Sequence, residues 1–248
     1  MSAVSHVLFD RHGYRRMPRH GDPRDAQLHR VLEQGTGCPA ALAILYKEVC
    51  ARLGLHMEAT VLDGGRYLVL WPRNFKGLQV DGQAVVIDAY SSGVPILADE
   101  VCQIFQVAPS TAAPSGLSQE ALQPSTSQEI LAALLGVLRD AHWCQAVGCA
   151  PEPAFMIPIS LETACRGLVG SLPLSYDLQR AIAAAERQAL LLPSSGNIYL
   201  QLCILLYFAG QYESALIILE VSLDLLWNED QQLLATFLAK LRLLRHHT

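Results

Sequence analysis

The sequence lacks the long apolar run that a membrane-spanning helix needs. Its most hydrophobic stretch, NIYLQLCILLYFAGQYESALIILEVSLDLL (197–226), is interrupted by Ala209-Gly210-Gln211. Neither half therefore approaches the ~20 apolar residues that cross a bilayer. Neither end of the chain resembles a signal or transit peptide. We predict a protein without a membrane span.

Charged residues are scarce as well, at 17% of the chain, and their balance is acidic, with a formal net charge of −5. Proteins that bind nucleic acids need clustered positive charge to displace counterions, so this balance argues against a nucleic-acid partner. One basic cluster, RHGYRRMPRH (11–20), is either a solvated arm or a contact for an anion or an acidic partner. Apolar residues make up 51% of the chain, which is typical of a globular protein rich in buried helix.

Regular cysteine spacing is missing, although cysteine itself is not. The seven residues are Cys38, Cys50, Cys102, Cys144, Cys149, Cys165 and Cys203. An odd, irregular set placed mostly inside apolar helical patterns is typical of a reducing compartment. The sequence is compatible with a location in the cytoplasm or in a plastid stroma.

Signatures of cofactor and metal chemistry are also absent. His142-Trp143-Cys144 with Cys149 resembles one corner of a metal site, but no second ligand pair follows at zinc-like spacing. The sequence has no phosphate loop, no dinucleotide glycine fingerprint and no Gly-x-Ser-x-Gly elbow. We predict neither a metal nor a cofactor.

The sequence does contain two regions in which apolar residues recur at different spacings. A segment rich in proline, serine, threonine and alanine (108–127) separates them and is predicted to be a linker. The region before it, 1–107, mixes helices and strands and is predicted to be an α+β domain in which helices are followed by antiparallel strands. The predicted helices are 25–34, 39–53 and 99–106, and the predicted strands are 58–62, 67–71 and 84–90. Gly64-Gly65 and Asp81-Gly82 supply the tight turns.

The region after the linker, 128–248, is predicted to be all helix. The predicted helices are 128–147, 160–171, 175–192, 197–209, 212–227 and 229–246. The hairpin around Gly210 resembles a tetratricopeptide repeat, in which small and aromatic residues let helices approach closely. Ordinary helix-bundle packing is equally compatible with this pattern.

The most informative stretch is GTGCPAALAILYKEVCARLGL (35–55), which predicts a helix with one buried stripe, Leu42, Leu45, Tyr46, Val49 and Leu53. Pro39 suits the first helical position, because its missing N–H would be unbonded there in any case. Cys38 is therefore predicted to cap the helix. A thiol at a helix N-terminus faces free amides and the positive end of the dipole, which favour the nucleophilic thiolate.

A cysteine that starts a helix, a histidine on the next strand and an aspartate on a later one form the transglutaminase-like core. Within that superfamily the chain resembles the SirB-type proteins, whose transglutaminase-like domain is followed by tetratricopeptide-like helices. The resemblance rests on VLFDRHGYR (7–15), residues 22–55, GGRYLVLW (64–71), VIDAYSSG (86–93) and the helical tail LCILLYFAGQYESALIILEVSL (202–223). It implies a papain/transglutaminase-like core followed by tetratricopeptide-like helices. Because that family has further helices before VLFDRHGYR, we expect a shortened or processed member.

The resemblance implies a damaged catalytic triad. Asp88 matches the family's aspartate, although Ala89 replaces the proline that usually follows it, and Cys38 lies beside the position of the nucleophile. The strand histidine is replaced by Arg66, just before Tyr67. A guanidinium group cannot give up its proton near neutral pH, so Arg66 cannot act as a base. Arg66 either pairs with Asp88 across neighbouring strands or points into solvent, and we expect no catalytic residue among these three positions.

Two functions follow from these residues. The first is a pseudoenzyme: a non-catalytic scaffold, adaptor or assembly factor that binds a protein partner or a larger complex, and that is compatible with a homo-oligomer. The second is a cysteine-dependent acyl-transfer or amide-hydrolysing enzyme that uses Cys38 and Asp88. Its base would be one of four other histidines, His12, His20, His29 and His56. Arg66 favours the first.

Overall fold

A computed structural model of the 248-residue chain describes residues 2–17, 21–62, 67–72, 78–80, 83–97, 100–101, 123–148, 158–166, 175–226 and 231–245. The chain divides into two compact units, one formed by 1–18 and 24–137 and the other by 19–23 and 138–248. Helices and an antiparallel sheet occur together, which confirms the mixed α+β class. The domain boundaries at 107/108 and 127/128 stay a prediction.

The N-terminal part of the first unit is made of short elements that lead into one long helix. In chain order these are α1 (Ser2–Ser5), a π-helical turn (His6–Arg11), β1 (Arg15–Arg16), a 3-10 turn (Pro23–Ala26), α2 (Leu28–Gln34), β2 (Thr36–Gly37) and α3 (Pro39–Arg52). β1 and β2 pair in parallel, so Arg16 lies opposite Gly37, which immediately precedes Cys38, the N-cap of α3.

The sheet of the first unit is antiparallel. Its strands are β3 (Met57–Leu62), β4 (Tyr67–Pro72), β5 (Leu78–Val80), β6 (Gln83–Asp88) and β7 (Val94–Leu97). β3 and β4 pair along their whole length, and β4 meets β6 at Leu70 and Ile87. β5 and β7 also pair with β6. The three predicted strands are confirmed to within two residues, whereas β5 and β7 were not predicted.

The last residues of the predicted linker bind the outer edge of β3. The Ser125 N–H donates to the Ala59 carbonyl oxygen at 2.7 Å, and Ser125 Oγ accepts from the Val61 N–H at 3.0 Å. Thr60 Oγ1 donates to the Gln123 carbonyl oxygen at 2.5 Å. These bonds satisfy backbone groups that an edge strand would otherwise leave open. Residues 102–122, which contain the rest of that segment and most of the predicted helix 99–106, lie outside the described residues.

Helix α3 packs on this sheet through a stripe that differs in part from the prediction. Leu42 and Tyr46 are fully buried, as expected, and Leu45 and Val49 are partly buried. Leu53, however, is 63% exposed, so its predicted place in the core is wrong. The helix ends at Arg52, and Leu53 is the C-cap, where the chain leaves the helical direction.

The second unit is built from helices. They are α4 (Ser127–Ala146), whose first turns belong to the first unit, α5 (Leu161–Arg166), α6 (Tyr176–Leu191), α7 (Gly196–Phe208), α8 (Tyr212–Ser222) with a 3-10 turn (Leu223–Leu225), and α9 (Gln231–Arg245). The predicted helices are confirmed, although the helix of 212–227 changes to 3-10 geometry after Ser222, and 167–171 lies outside the described residues. None of the described helices is long and apolar enough to span a membrane.

Helix α7 is the centre of the second unit, and α6 and α8 both pack against it. The aromatic residues at the C-terminal end of α7 pack against other rings. The ring centres of Phe208 and Trp143 are 5.1 Å apart, and those of Tyr207 and Phe237, in an edge-on pair, are 5.5 Å apart. Such tilted and edge-on ring pairs add to the burial of their apolar area. At the other end, Gly196 packs so closely on the Leu225 carbonyl that a side chain would collide with it.

A buried arginine links three helices of this unit. Arg139 on α4 donates through Nη1 to Gln188 Oε1 on α6 at 2.8 Å and to Gln201 Oε1 on α7. Its Nε and Nη2 donate to Asp140 Oδ1 at 2.9 and 2.7 Å. Because a buried cation is costly unless its donors are satisfied, this network fixes the register of α4 against its neighbours.

Candidate functional site

Cys38 lies where the sequence predicts, at the N-cap of α3 with Pro39 as the first helical residue. Its Sγ accepts a hydrogen bond from the Ala41 N–H at 3.4 Å, and the side chain is completely buried. Its own N–H donates to the Asp25 carbonyl oxygen at 2.8 Å. The cap is therefore bonded on both sides, by the first turn of the helix and by the 3-10 turn before α2.

The environment of this thiol does not favour the thiolate. The pKa of the Cys38 thiol is raised from an ordinary 9.0 to about 11, chiefly by burial, and the charge of Asp25 contributes to this rise. Hydrogen bonds from the Ala41 and Ala40 amides act in the opposite direction but do not compensate. The helix N-terminus favours the thiolate, but loss of hydration outweighs this effect when the sulfur is fully enclosed.

Asp25 contributes a buried carboxylate to this site. It is almost fully buried, and its Oδ1 accepts a hydrogen bond from Thr36 Oγ1 at 3.1 Å. Asp25 thus binds Thr36 through its side chain and Cys38 through its backbone carbonyl, at the two ends of the segment 36–38 that leads into α3. Asp25 was not predicted as a site residue, although it lies within the segment 22–55, because no local pattern indicates that its backbone carbonyl binds the Cys38 N–H.

Asp88 ends β6 and organises the turn that follows. Its Oδ1 accepts the Tyr90 N–H at 2.8 Å, and its carbonyl oxygen accepts the Gly93 N–H at 2.8 Å. Ser92 and Gly93 both have left-handed backbone angles, with φ of 61° and 70°. The carboxylate at the triad position therefore holds its own turn through a side-chain to backbone bond.

Tyr90 connects Asp88 electrostatically with the cap of α3. Burial raises the pKa of the Tyr90 phenol, the charge of Arg16 opposes this rise, and Cys38, Asp25 and Asp88 add to it. The charges of Asp88, Asp25 and Arg16 thus all influence this phenol, whereas Cys38 does so only as a thiolate. Tyr90 and Arg16 were not predicted as site residues, although both lie in quoted motifs.

The histidine position of the triad, Arg66, lies outside the described residues, so its pairing with Asp88 stays a prediction. Of the alternative bases, His12, His29 and His56 are exposed, and none of these three forms a hydrogen bond with Cys38. His20 lies outside the described residues.

The segment His142-Trp143-Cys144, which resembles one corner of a metal site in sequence, makes other contacts in the structure. His142 Nδ1 lies 2.7 Å from Asp177 Oδ1, and Trp143 and Cys144 are buried in the second unit. Cys149 lies outside the described residues. In the part of the chain that the structure describes, no three His, Cys, Asp or Glu side chains converge in a way that could hold a metal ion.

A groove of about 530 Å³ lies beside the turn that Asp88 organises. Its lining is Ser2, Ser5, His6, Asp10, Ile87, Ser92, Gly93, Val94 and Pro95. His6 Nδ1 and Asp10 Oδ2 are 2.9 Å apart, and Ser5 Oγ donates to the Gly93 carbonyl oxygen at 3.2 Å. The groove is large enough for a small molecule or a short peptide segment.

Comparisons with known proteins agree with the first unit. The sequence model of the family described as the transglutaminase-like superfamily matches residues 1–136, which include Cys38, Asp88 and the segment bound to β3. A UPF0162 protein of Xylella fastidiosa strain Temecula1 is 27% identical over 205 residues, 80% of this chain and 70% of the relative. The UPF0162 protein of strain 9a5c is 28% identical over 165 residues, 64% of this chain and 56% of the relative. No solved structure matches the chain.

Proposed function

The chain belongs to the transglutaminase-like superfamily, and from this we propose that it is a degenerate, SirB-type member that performs no acyl transfer. In this proposal it is a protein-interaction scaffold, adaptor or assembly factor. The transglutaminase-like domain (1–107) and the tetratricopeptide-like helices (128–248) are joined by the linker 108–127. The helices hold a protein partner or a component of a larger complex.

One observation carries this proposal: the Cys38 sulfur is completely buried, and the pKa of its thiol is raised to about 11. Cysteine nucleophiles act as thiolates and lie in partly exposed, electropositive surroundings. A neutral, enclosed thiol next to a buried carboxylate has the character of a structural cysteine. Its role is to cap α3.

The state of the other triad positions supports the same function. A cysteine-dependent enzyme needs an imidazole base that a carboxylate orients. Asp88 Oδ1 already accepts the Tyr90 N–H, and Arg66 at the histidine position cannot accept a proton. The proposed degenerate triad therefore has neither an activated nucleophile nor a base.

A reducing compartment is part of the proposal. The free cysteines among the described residues are Cys38, Cys50, Cys144, Cys165 and Cys203. Four of these five are buried among apolar side chains, where cysteine acts as a small hydrophobic residue.

The alternative remains a cysteine-dependent acyl-transfer or amide-hydrolysing enzyme. The feature that favours it is the pair of amides of Ala40 and Ala41, which hydrogen-bond the sulfur and lower the pKa of Cys38. Exposure of the sulfur by a conformational change would leave these amides as the dominant influence. The enzyme would then need a base outside the described residues.

Alkylation of Cys38 by iodoacetamide as a function of pH separates the two functions. The modified peptides are identified by mass spectrometry, with Cys38→Ala as the negative control and urea-unfolded protein as the reference for full reactivity. The scaffold proposal expects Cys38 to stay unmodified at neutral pH while the less buried Cys165 reacts. Rapid alkylation of Cys38 with a titration below pH ~8, together with a labelled acyl intermediate on Cys38, would establish the enzyme instead.

A further inference from the structure

The outer face of α6 combines exposed apolar and basic side chains. Tyr176 and Leu190, near its two ends, are 66% and 82% exposed. Arg180 and Arg187 lie between them, seven residues apart, which places them on one side of the helix and separates their Cα atoms by about 10 Å. We call these four residues the basic face.

Part of the basic face is already ordered. Arg180 Nη2 donates to the Tyr176 hydroxyl at 2.8 Å, and the Arg180 guanidinium lies 4.1 Å from the centre of the Tyr176 ring. A large exposed aromatic side chain held in one position loses little entropy on binding, and tyrosine and arginine are common in interface hot spots. Among the described residues, no carboxylate forms an ion pair with Arg180 or Arg187.

Helix α8 and its 3-10 turn present the opposite charge on their outer face. Ile217 and Val221 are 56% and 78% exposed, and Glu213, Glu220 and Asp224 lie around them in solvent. We call these five residues the acidic face. Glu220 Oε1 accepts from Arg242 Nη2 at 3.0 Å, but both side chains are about half exposed, so this pair contributes little to stability and is easily exchanged.

The two faces match in spacing as well as in charge. Glu213 and Glu220 are seven residues apart, as are Arg180 and Arg187, so two carboxylates on one helix can meet two guanidinium groups on another. The exposed side chains of Ile217 and Val221 offer apolar area to Tyr176 and Leu190. Helix α6 packs against α7, and α8 packs against both α7 and α9, but the apolar side chains of the two faces remain exposed.

We propose that the basic face of one copy of this protein binds the acidic face of a second copy. The contact joins two different surfaces, so it produces either a ring, if the rotation closes, or a chain of copies. Complementary charge sets the register of the two helices, and burial of the exposed Tyr176, Leu190, Ile217 and Val221 excludes water from the centre. This self-association does not depend on whether Cys38 is catalytic.

Sedimentation velocity of the full chain over a range of concentrations, at low and at high salt, tests the association. The proposal expects a concentration-dependent oligomer that salt weakens, since exposed charge pairs are screened. A wild-type protein that stays monomeric at all concentrations and low salt would overturn it, and so would an oligomer that salt does not affect.

Charge reversal then tests the two faces. Arg180→Glu/Arg187→Glu and Glu213→Lys/Glu220→Lys each place like charges across the contact, and we expect each variant alone to associate at least about tenfold more weakly. In a mixture of the two variants, alternating copies restore complementary faces at each contact, so the mixture should associate again. The control Arg30→Glu/Arg52→Glu, on α2 and α3, changes the net charge by the same amount as Arg180→Glu/Arg187→Glu and should associate like the wild type.

Either of two results would refute the proposal: a single charge-reversal variant that associates normally, or a mixture that stays monomeric. Circular dichroism of each variant confirms that the fold is kept. If a reversal variant does not fold, Arg180→Gln/Arg187→Gln takes its place, and that variant must still weaken association for the proposal to stand.

Discussion

The backbone N–H of Cys38 donates a hydrogen bond to the carbonyl oxygen of Asp25 at 2.8 Å. This bond joins the start of α3 to the 3-10 turn that carries a buried carboxylate. The residue that positions the cap of the helix thus also places a negative charge where it opposes ionisation of the thiol. Asp25 therefore positions the cap of α3 and also adds to the effect of burial, which is the larger cause of the raised pKa of Cys38.

Asp25→Asn should lower the pKa of the Cys38 thiol. The amide keeps the side-chain oxygen that accepts from Thr36 Oγ1 but removes the charge that opposes the thiolate. The alkylation profile of Cys38 should therefore move to lower pH. Asp10→Asn, which removes an exposed carboxylate elsewhere in the same unit, is the control. An unchanged profile in a folded Asp25→Asn variant would contradict the assigned role of Asp25.

Cys38 should also make the protein sensitive to alkaline pH. The unfolded chain ionises this thiol near its ordinary pKa of 9.0, whereas the folded protein does so at about 11. Its contribution to stability is therefore complete below pH 9 and is lost as the pH rises from about 9 to about 11. Over that window the free energy of unfolding should fall by about 2 kcal/mol more in the wild type than in Cys38→Ala. Urea denaturation at several pH values measures this difference, and parallel curves for the two proteins would exclude it.

Gly93→Ala should destabilise the first unit much more than Gly54→Ala. Both glycines have a positive φ, 70° and 78°, so each substitution carries a backbone cost of about 1–2 kcal/mol. A Cβ at Gly93 would in addition collide with the side chains of Ser5 and Phe9, whereas a Cβ at Gly54 meets nothing within 4 Å. Thermal and urea denaturation of the two variants compare these costs directly. Equal losses of stability in the two variants would show that Ser5 and Phe9 can move to accommodate a Cβ at position 93.

Arg139→Ala should lower the free energy of unfolding by about 3 kcal/mol. The substitution removes the hydrogen bonds that Gln188 and Gln201 accept from the guanidinium and the ion pair of Arg139 with a mostly buried Asp140 carboxylate. Arg52→Ala is the control, because its ion pair with Glu48 is exposed and should contribute less than about 1 kcal/mol. Similar urea midpoints for the two variants would argue against a structural role for the Arg139 network.

Ser125→Ala should loosen the outer edge of β3. The substitution removes the Oγ that accepts the Val61 N–H, at a cost of about 1 kcal/mol for one hydrogen bond. Hydrogen exchange of the Val61 amide should become about fivefold faster, while the Leu70 amide, on the inner strand β4, keeps its rate. Protection of Val61 equal to that of the wild type would mean that residues 123–125 do not hold this edge in solution.

The helices and the cap of α3 could be predicted because their signals are local. Pro39 fixes its own backbone and restricts the residue before it, so the position of Cys38 follows from two adjacent letters of the sequence. The helix pair around Gly210 follows from one glycine with φ of 74° between two apolar repeats. The resemblance to the transglutaminase-like superfamily placed the same cysteine and Asp88 in one domain.

What could not be predicted depends on contacts between distant segments. The pKa of Cys38 is set by complete burial and by Asp25, thirteen residues earlier, and neither can be seen in the helix itself. Strand β5 is three residues long and β7 contains Pro95, so neither has the alternation that identifies a strand. Leu53 continues the apolar stripe of α3 in sequence, but the helix ends one residue before it.

The bonds between Ser125 and β3 have a consequence for how much this sequence can vary. Val101, on one side of the segment 102–122, is buried with Leu62 and Val69, and Ser125, on the other side, binds β3. Both anchors belong to the same compact unit. Because each doubling of the chain length between two fixed anchors costs only about 0.6 kcal/mol in closure entropy, lengthening the sequence between Val101 and Ser125 should cost the fold little stability.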